Sequence, residues 1–295
     1  MKPLDKDLQT TKTNLDEFGQ LTTRILQYLP NVLSDSFQKN DYIIYTSDIA
    51  GTKKFIRPIN QKLFIGNVDD FESNLKQLQN IFLQIKNGNK INTEQKNIID
   101  RTLYTIQQAI GAGLDLLVNP NSARKHVGNR FEELIKVIFT EIGVANKHIV
   151  LQIPYQTDEG TKTYKCETDL ILSPYKSVKS TSTFLDENEI VVSVKTTSKD
   201  RMGKIFIDKI LIERFLNHPQ KFIGIFLNDV QRKSSNNISF TLVSGLFMVY
   251  STFLTQLDGI YYLDPPPNAG KAPYSNHMKR FSELITNDLE KLLST

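Results

Sequence analysis

The sequence predicts an α/β protein: a mixed sheet flanked by helices, preceded by a mainly helical N-terminal region. After position 120, apolar runs of strand length alternate with runs of helical period, the pattern of a sheet covered by helices. Residues 166–172 and 190–195 each read as a buried strand carrying few polar side chains. Before position 120, long stretches keep helical spacing and strand-like runs are short. Residues 1–120 are therefore read as a mainly helical part and residues 121–295 as the part carrying the sheet.

In order, 14–34 reads as a helix and 40–67 as short strands and turns around 41–45 and 62–65. Residues 69–88 and 92–117 read as two longer helices, the second stopping at Asn119-Pro120, where Ser122 is a plausible N-cap for the helix that follows. That helix, 124–143, sets Phe131, Leu134, Ile135, Ile138 and Phe139 on one side. Strands are expected near 148–155 and 163–172, then a polar loop at 174–188, a strand at 189–195, a helix at 203–217 closed by His218-Pro219, and a strand at 221–227. A strand near 238–243, a segment running to Leu263 and a closing helix at 275–294 complete the chain.

With 295 residues, 39% of them hydrophobic, there is ample core for one large domain or two modest ones. No apolar stretch is long enough to span a membrane and the first residues lack an apolar signal region, so neither a membrane protein nor a secreted one is expected. The single cysteine, Cys166, excludes an internal disulfide framework and a cysteine-based zinc site. Four scattered histidines have no metal-ligand spacing. A net charge of +4 favours a polyanionic partner.

Asp169, Ser193 and Lys195 interrupt strands that otherwise carry few polar side chains. Ser193 and Lys195 stand two apart and project from one strand face, so an antiparallel neighbour can bring Asp169 beside them. A carboxylate converging with an ammonium suits a divalent-metal nuclease: the carboxylate holds a hard cation, and the lysine steadies the attacking water or the charge growing on phosphate. A second acid can be sought on the helix at 203–217. At about 100° per residue, Asp208 falls on the apolar arc with Ile205, Leu211, Ile212 and Phe215, whereas Glu213 shares a side with Lys209 and Asn217. A carboxylate within an apolar arc needs a cation or donors to satisfy it. Glu132, next to Phe131, can border the same cleft.

These residues resemble the PD-(D/E)XK nuclease superfamily, and more closely its type II restriction endonucleases. The family expects an acid where Ser193 stands; a subset has Ser-X-Lys there and takes the missing carboxylate from the following helix, at an offset close to that of Asp208, usually as glutamate. The run Lys195-Thr-Thr-Ser-Lys-Asp-Arg201 adds to the likeness, as does Gly128-Asn-Arg-Phe131-Glu132 ahead of the first core strand. The resemblance implies a restriction-endonuclease-like core using Mg2+, held by Asp169, Asp208 and the main-chain carbonyl of Val194, with Lys195 catalytic and Glu132 supporting the metal or the water. It also implies double-stranded DNA as substrate, a homodimer, a separately encoded methyltransferase and a prokaryotic cytoplasmic setting.

Lys199, Arg201 and Lys204 follow the lysine directly and are expected near bound phosphate, and Arg201 has the fork that reads guanine. Lys53, Lys54, Arg57 and Lys62 form a second basic cluster. A structure-specific repair or recombination nuclease would share the same site. A DNA-binding protein with a decayed site would account for Ser193, and an unrelated α/β protein would carry the motif by coincidence.

Overall fold

The computed structural model describes residues 2–49, 51–199, 201–234, 237–240 and 244–294. A short helix α1 (Leu4–Leu8) leads into α2 (Leu15–Val32), capped by the side chain of Asn14. The strands β1 (Leu33–Lys39), β2 (Tyr42–Ile49), β3 (Thr52–Phe55) and β4 (Ile59–Asn60) make a small antiparallel sheet, with β2 pairing all three others. Helices α3 (Val68–Lys86) and α4 (Thr93–Leu117) follow, then α5 (Pro120–Glu141).

The main sheet has six strands in the order β12-β11-β8-β7-β6-β5. They are β5 (Ala145–Thr157), β6 (Gly160–Ser173), β7 (Ile190–Lys195), β8 (Lys221–Phe226), β11 (Gly259–Tyr262) and β12 (Met278–Arg280). The pairs β5–β6 and β6–β7 are antiparallel and the rest are parallel, so the sheet is mixed. The β7–β8 crossover is α6 (Met202–Leu216), ended by Asn217 in the left-handed conformation at φ 59°. Between β8 and β11 lie the hairpin β9 (Val230–Ser234) with β10 (Asn237–Phe240), and α7 (Ser244–Phe253), which packs on α6.

The sheet is covered on both sides. Leu170, Leu172, Ile190, Val192 and Val194 join α5 through Phe131, Leu134, Ile135 and Ile138 in one core, to which Phe18, Ile25, Leu103 and Ile110 of the N-terminal helices also belong. Ile171, Val191 and Tyr262 face α6 and α7 through Ile205, Phe206 and Phe247. Polar side chains join residues before and after position 120. The Asp264 carboxylate accepts from the Tyr42 hydroxyl and from Asn60 Nδ2, both at 2.8 Å. Asp100, buried in α4, accepts from the Ser282 N–H at 3.1 Å and its hydroxyl at 2.9 Å.

Four sequence expectations change. Residues 62–65 are not a strand: Leu63 and Ile65 are buried as anchors of an irregular turn, and the Ile65 N–H donates to Thr105 Oγ1 on α4 at 2.9 Å. Asn119, not Ser122, caps α5. Pro120 at the first helical position fixes the helix start there, and Asn119 accepts from the Ser122 N–H at 3.0 Å. The closing helix starts later than expected, because 278–280 is β12 and the helical run goes from Phe281–Glu283 through a π-turn at Leu284–Asp288 to Leu289–Leu293. The strand near 238–243 is β10, ending at Phe240, while 241–243 lie outside the described residues.

Burial pushes the Asp100 carboxyl up to about 6, against the opposing pull of the Ser282 donors and the Arg280 charge. A carboxyl raised on folding favours the folded state at pH below its ordinary value of 3.8, and that contribution is lost as pH rises through 6. Relative to Asp100→Asn, wild-type stability is expected to fall by up to about 3 kcal/mol between pH 4 and pH 7. Urea midpoints of the two proteins across that range check the sign.

Candidate active site

The site forms where β6 leaves β7. Their ladder runs through Leu172–Ile190, Ile171–Val191 and Leu170–Val192, and β6 then continues with β5 alone as a long two-stranded arm. At the same point β6 carries a bulge. Lys147 pairs with Ile171 but Ile149 pairs with Thr168, so Asp169 and Leu170 together stand opposite His148. Such a bulge turns a side chain out of simple alternation, and Leu170 goes into the core while Asp169 enters the fork between the strands.

There the Asp169 carboxylate accepts from the Val194 N–H at 2.7 Å and from Ser193 Oγ at 3.3 Å. It also pairs with the Lys195 ammonium, whose other neighbour is Glu132 on α5 at 3.8 Å. In an extended strand the N–H and C=O of one residue point the same way, so the Val194 carbonyl is directed to the Asp169 side too. Burial pushes the Glu132 carboxyl up to about 7; the Asp169 charge adds to the rise and Lys195 opposes it.

Asp169, Ser193 and Lys195 open into a cleft of about 290 Å³, whose far wall is α6 with Arg201, Lys204, Ile205, Asp208 and Ile212. Asp208 is thus on the cleft side of its helix and is paired with Lys204, one turn back, at 2.5 Å. Burial would lower the Lys204 ammonium, but the hydrogen bond and charge of Asp208 outweigh it and raise its pKa. The two cleft aspartates therefore each have a lysine, Asp169 with Lys195 and Asp208 with Lys204.

Glu213 lies on the side of Lys209, as its helical spacing predicts. Lys209 is buried and bridges Glu213 at 3.7 Å and Asp258, ahead of β11, at 3.1 Å, while Glu213 accepts from the Gln220 N–H at 3.0 Å. This network fastens α6 to the sheet and is turned away from the cleft. Lys199 is exposed and reaches Gln231 Oε1 at 3.5 Å, and Asp200 lies outside the described residues. In the second basic cluster Arg57 forms a two-pronged ion pair with Asp115, and Lys54 donates to the Leu116 carbonyl at α4's end, so both serve packing.

Two residues at the site escape a reading of the sequence. Glu167 lines the cleft two residues ahead of Asp169, a spacing that β alternation makes visible. Asp229, fully buried after β8, accepts from the Ser198 N–H at 2.7 Å, Thr197 Oγ1 at 3.2 Å and the Tyr262 hydroxyl at 2.8 Å. It fixes the turn that carries the chain from Lys195 to α6, and nothing in its local sequence sets it apart.

The donors directed at the cleft, two aspartates and a carbonyl, are all oxygen, which fits a hard divalent cation that keeps part of its water shell. Among the described residues no group of three or more His, Cys, Asp or Glu side chains is gathered as ligands, so the fit rests on this smaller set. No helix among them is long and apolar enough to cross a membrane.

No family model and no curated protein matches this sequence. Among solved structures, the crystal structure of the type IIP restriction endonuclease Kpn2I has the same fold, with a TM-score of 0.70 over 94% of this chain and 91% of that one at 16% identity. The complex of restriction endonuclease PspGI with substrate DNA aligns at a TM-score of 0.41 over 76% of this chain and 92% of that one, at 15% identity.

Asp229→Ala leaves three donors without their acceptor, two of them buried, and is expected to cost about 2–4 kcal/mol of stability. Urea unfolding measures the loss.

Proposed function

We propose that this chain, which has the type II restriction endonuclease fold, is a Mg2+-dependent enzyme that hydrolyses phosphodiester bonds at a specific sequence in double-stranded DNA. The observation that supports this most is the meeting of Asp169, Lys195 and Asp208 in one cleft at a strand fork of that fold. Asp169, Asp208 and the Val194 carbonyl would hold Mg2+, which when bound polarises the phosphoryl group and acidifies water. Lys195 steadies the negative charge that builds on the phosphate, and its ammonium is already held at that spot by Asp169 and Glu132. Glu132, with its raised pKa, is suited to exchange a proton with water near neutral pH. Arg201 and Lys204 on the cleft wall, with Lys199 beside them, receive the DNA backbone or read base edges. On this reading two copies act as a homodimer on a two-fold sequence in the prokaryotic cytoplasm, and a separately encoded methyltransferase protects host DNA.

Ser193, in the place of an acid, supports a second reading: a DNA-binding protein whose nuclease site has decayed. Incubation with a long DNA of known sequence, with Mg2+ or with EDTA, followed by sequencing of the ends, separates the two. Ends sharing one short motif and seen only with Mg2+ are expected; DNA left intact in both would sink the nuclease reading, and structure-dependent nicks would point to a repair nuclease.

Asp169→Asn keeps an acceptor for the Val194 N–H while removing the charge. With Lys195→Ala and Asp208→Ala, it is expected to slow cleavage by at least about 100-fold, as the loss of one transition-state contact does. Glu213→Ala should lower stability and leave the cleavage rate near that of wild type. Normal cleavage by Asp208→Ala would show that the second acid lies elsewhere.

A further inference from the structure

A second cavity, of about 410 Å³, opens at the ends of β7 and β8 on the side of the sheet covered by α5. Thr196 and Thr197 line it, so it begins one residue beyond Lys195. β3, α4, the first turns of α5 and the start of β9 supply its other walls. One wall is locked: the Arg57 guanidinium, paired with Asp115, lies against Gly111 of α4, where any Cβ would collide with it. Arg124 and Arg232 are exposed and have no ion-pair partner among the described residues, and Arg232 sits over the Phe55 ring at 4.9 Å. Gln108, also in the walls, is 1% exposed. Its Nε2 donates to the Tyr104 hydroxyl at 3.1 Å and to the Pro58 carbonyl at 3.4 Å, while its buried Oε1 meets no donor among the described residues.

The walls select their ligand. Three arginines face one aspartate, which Arg57 already holds, and α5 begins there with no acid in its first turn to offset the positive end of its dipole. The cavity therefore takes an anion. A bare phosphate would leave the amides of Gln231 and Gln108 unused, and a buried acceptor without a donor is costly. A nucleotide supplies both, a phosphate for the arginines and a base edge with donors and acceptors for the amides. Position decides its source. Thr197 is at most about 7 Å along the chain from Lys195, about two nucleotide steps of a strand. The Lys199 ammonium reaches Gln231 Oε1 at 3.5 Å, so the basic side chains that receive DNA on the proposed function adjoin the cavity.

We propose that the DNA strand leaving the scissile phosphate passes into this cavity, where Arg124 and Arg232 hold a flanking phosphate and the amides of Gln231 and Gln108 hydrogen-bond the edge of its base. The cavity is then a determinant of the recognition sequence, separate from the cleft that holds Asp169 and Lys195. This step rests on the proposed function.

Selection of duplexes from a randomised pool in Mg2+, followed by sequencing of those retained, tests the cavity. A Lys195→Ala parent, which keeps the carboxylates and slows cutting, is expected to retain one motif. Gln231→Ala on that parent should retain the same motif with one position, and its two-fold mate, relaxed, the preferred base losing about 10-fold or more of its advantage. Arg124→Ala and Arg232→Ala should keep the motif, bind every sequence more weakly, and each lower the slope of log affinity against log salt by about one. Arg101→Ala, exposed on α4 away from the cavity, should change none of these. None of the four side chains is buried, so circular dichroism should be unchanged. A parent that retains no motif, a motif that Gln231→Ala leaves unaltered, or unchanged salt slopes in both arginine variants overturns the proposal. The selection is independent of cleavage. A motif relaxed by Gln231→Ala in a protein whose wild type cuts no DNA refutes the nuclease reading alone, and a wild type that cuts at a motif unaltered by Gln231→Ala refutes the cavity alone.

Discussion

Where β6 leaves β7, the Val194 N–H in a buried strand has no ladder partner, and the carboxylate of Asp169 takes that place. An unpaired buried N–H would cost about 1–3 kcal/mol, so the fork and the aspartate depend on each other. The bulge at Asp169–Leu170 lets one residue enter the core while its neighbour enters the fork. Ser193 and Lys195 reach Asp169 because the strands diverge there, and α5 and α6, covering opposite faces of the sheet, bring Glu132 and the Lys204–Asp208 pair to its rim.

Charge around the cleft is balanced in pairs. Each aspartate is matched by a lysine, which offsets the repulsion between the gathered acids, while burial and the Asp169 charge raise the Glu132 carboxyl. The same lysines stand within reach of any phosphate that enters. Away from the cleft, the buried Lys209 with Glu213 and Asp258, and the buried Asp229 with its three donors, hold α6 and the preceding turn in place. The acids that fix the scaffold are thereby distinct from those that face the cleft.

Much of this is legible in the sequence, because local periodicity carries it. The apolar runs around Asp169 and Lys195 mark paired strands, and a helical period puts Asp208 on the side of Ile205 and Ile212, where the structure has it. The remainder depends on partners distant in sequence. The bulge exists only in the register of β6 with β5, and only the fold brings Gln220 to Glu213 and Asp258 to Lys209 beside it. Leu63 and Ile65 have the pattern of a strand but are buried against α4 instead, and Asn119 and Ser122 are equally good caps until the proline between them is considered. Asp229 fixes a turn at Thr197 and Ser198, some thirty residues before it, and its third donor, Tyr262 of β11, lies as far after it.

On the proposed function, the fork and α6 together make one oxygen-lined site for a divalent cation. Calorimetric titration of Mn2+ or Mg2+ into the DNA-free protein, for wild type, Asp169→Asn, Asp208→Asn and Glu213→Gln, tests it most directly. Binding is expected for wild type and Glu213→Gln, and its loss in both aspartate variants. Wild-type affinity in Asp208→Asn, or binding that disappears only with Glu213→Gln, would contradict it.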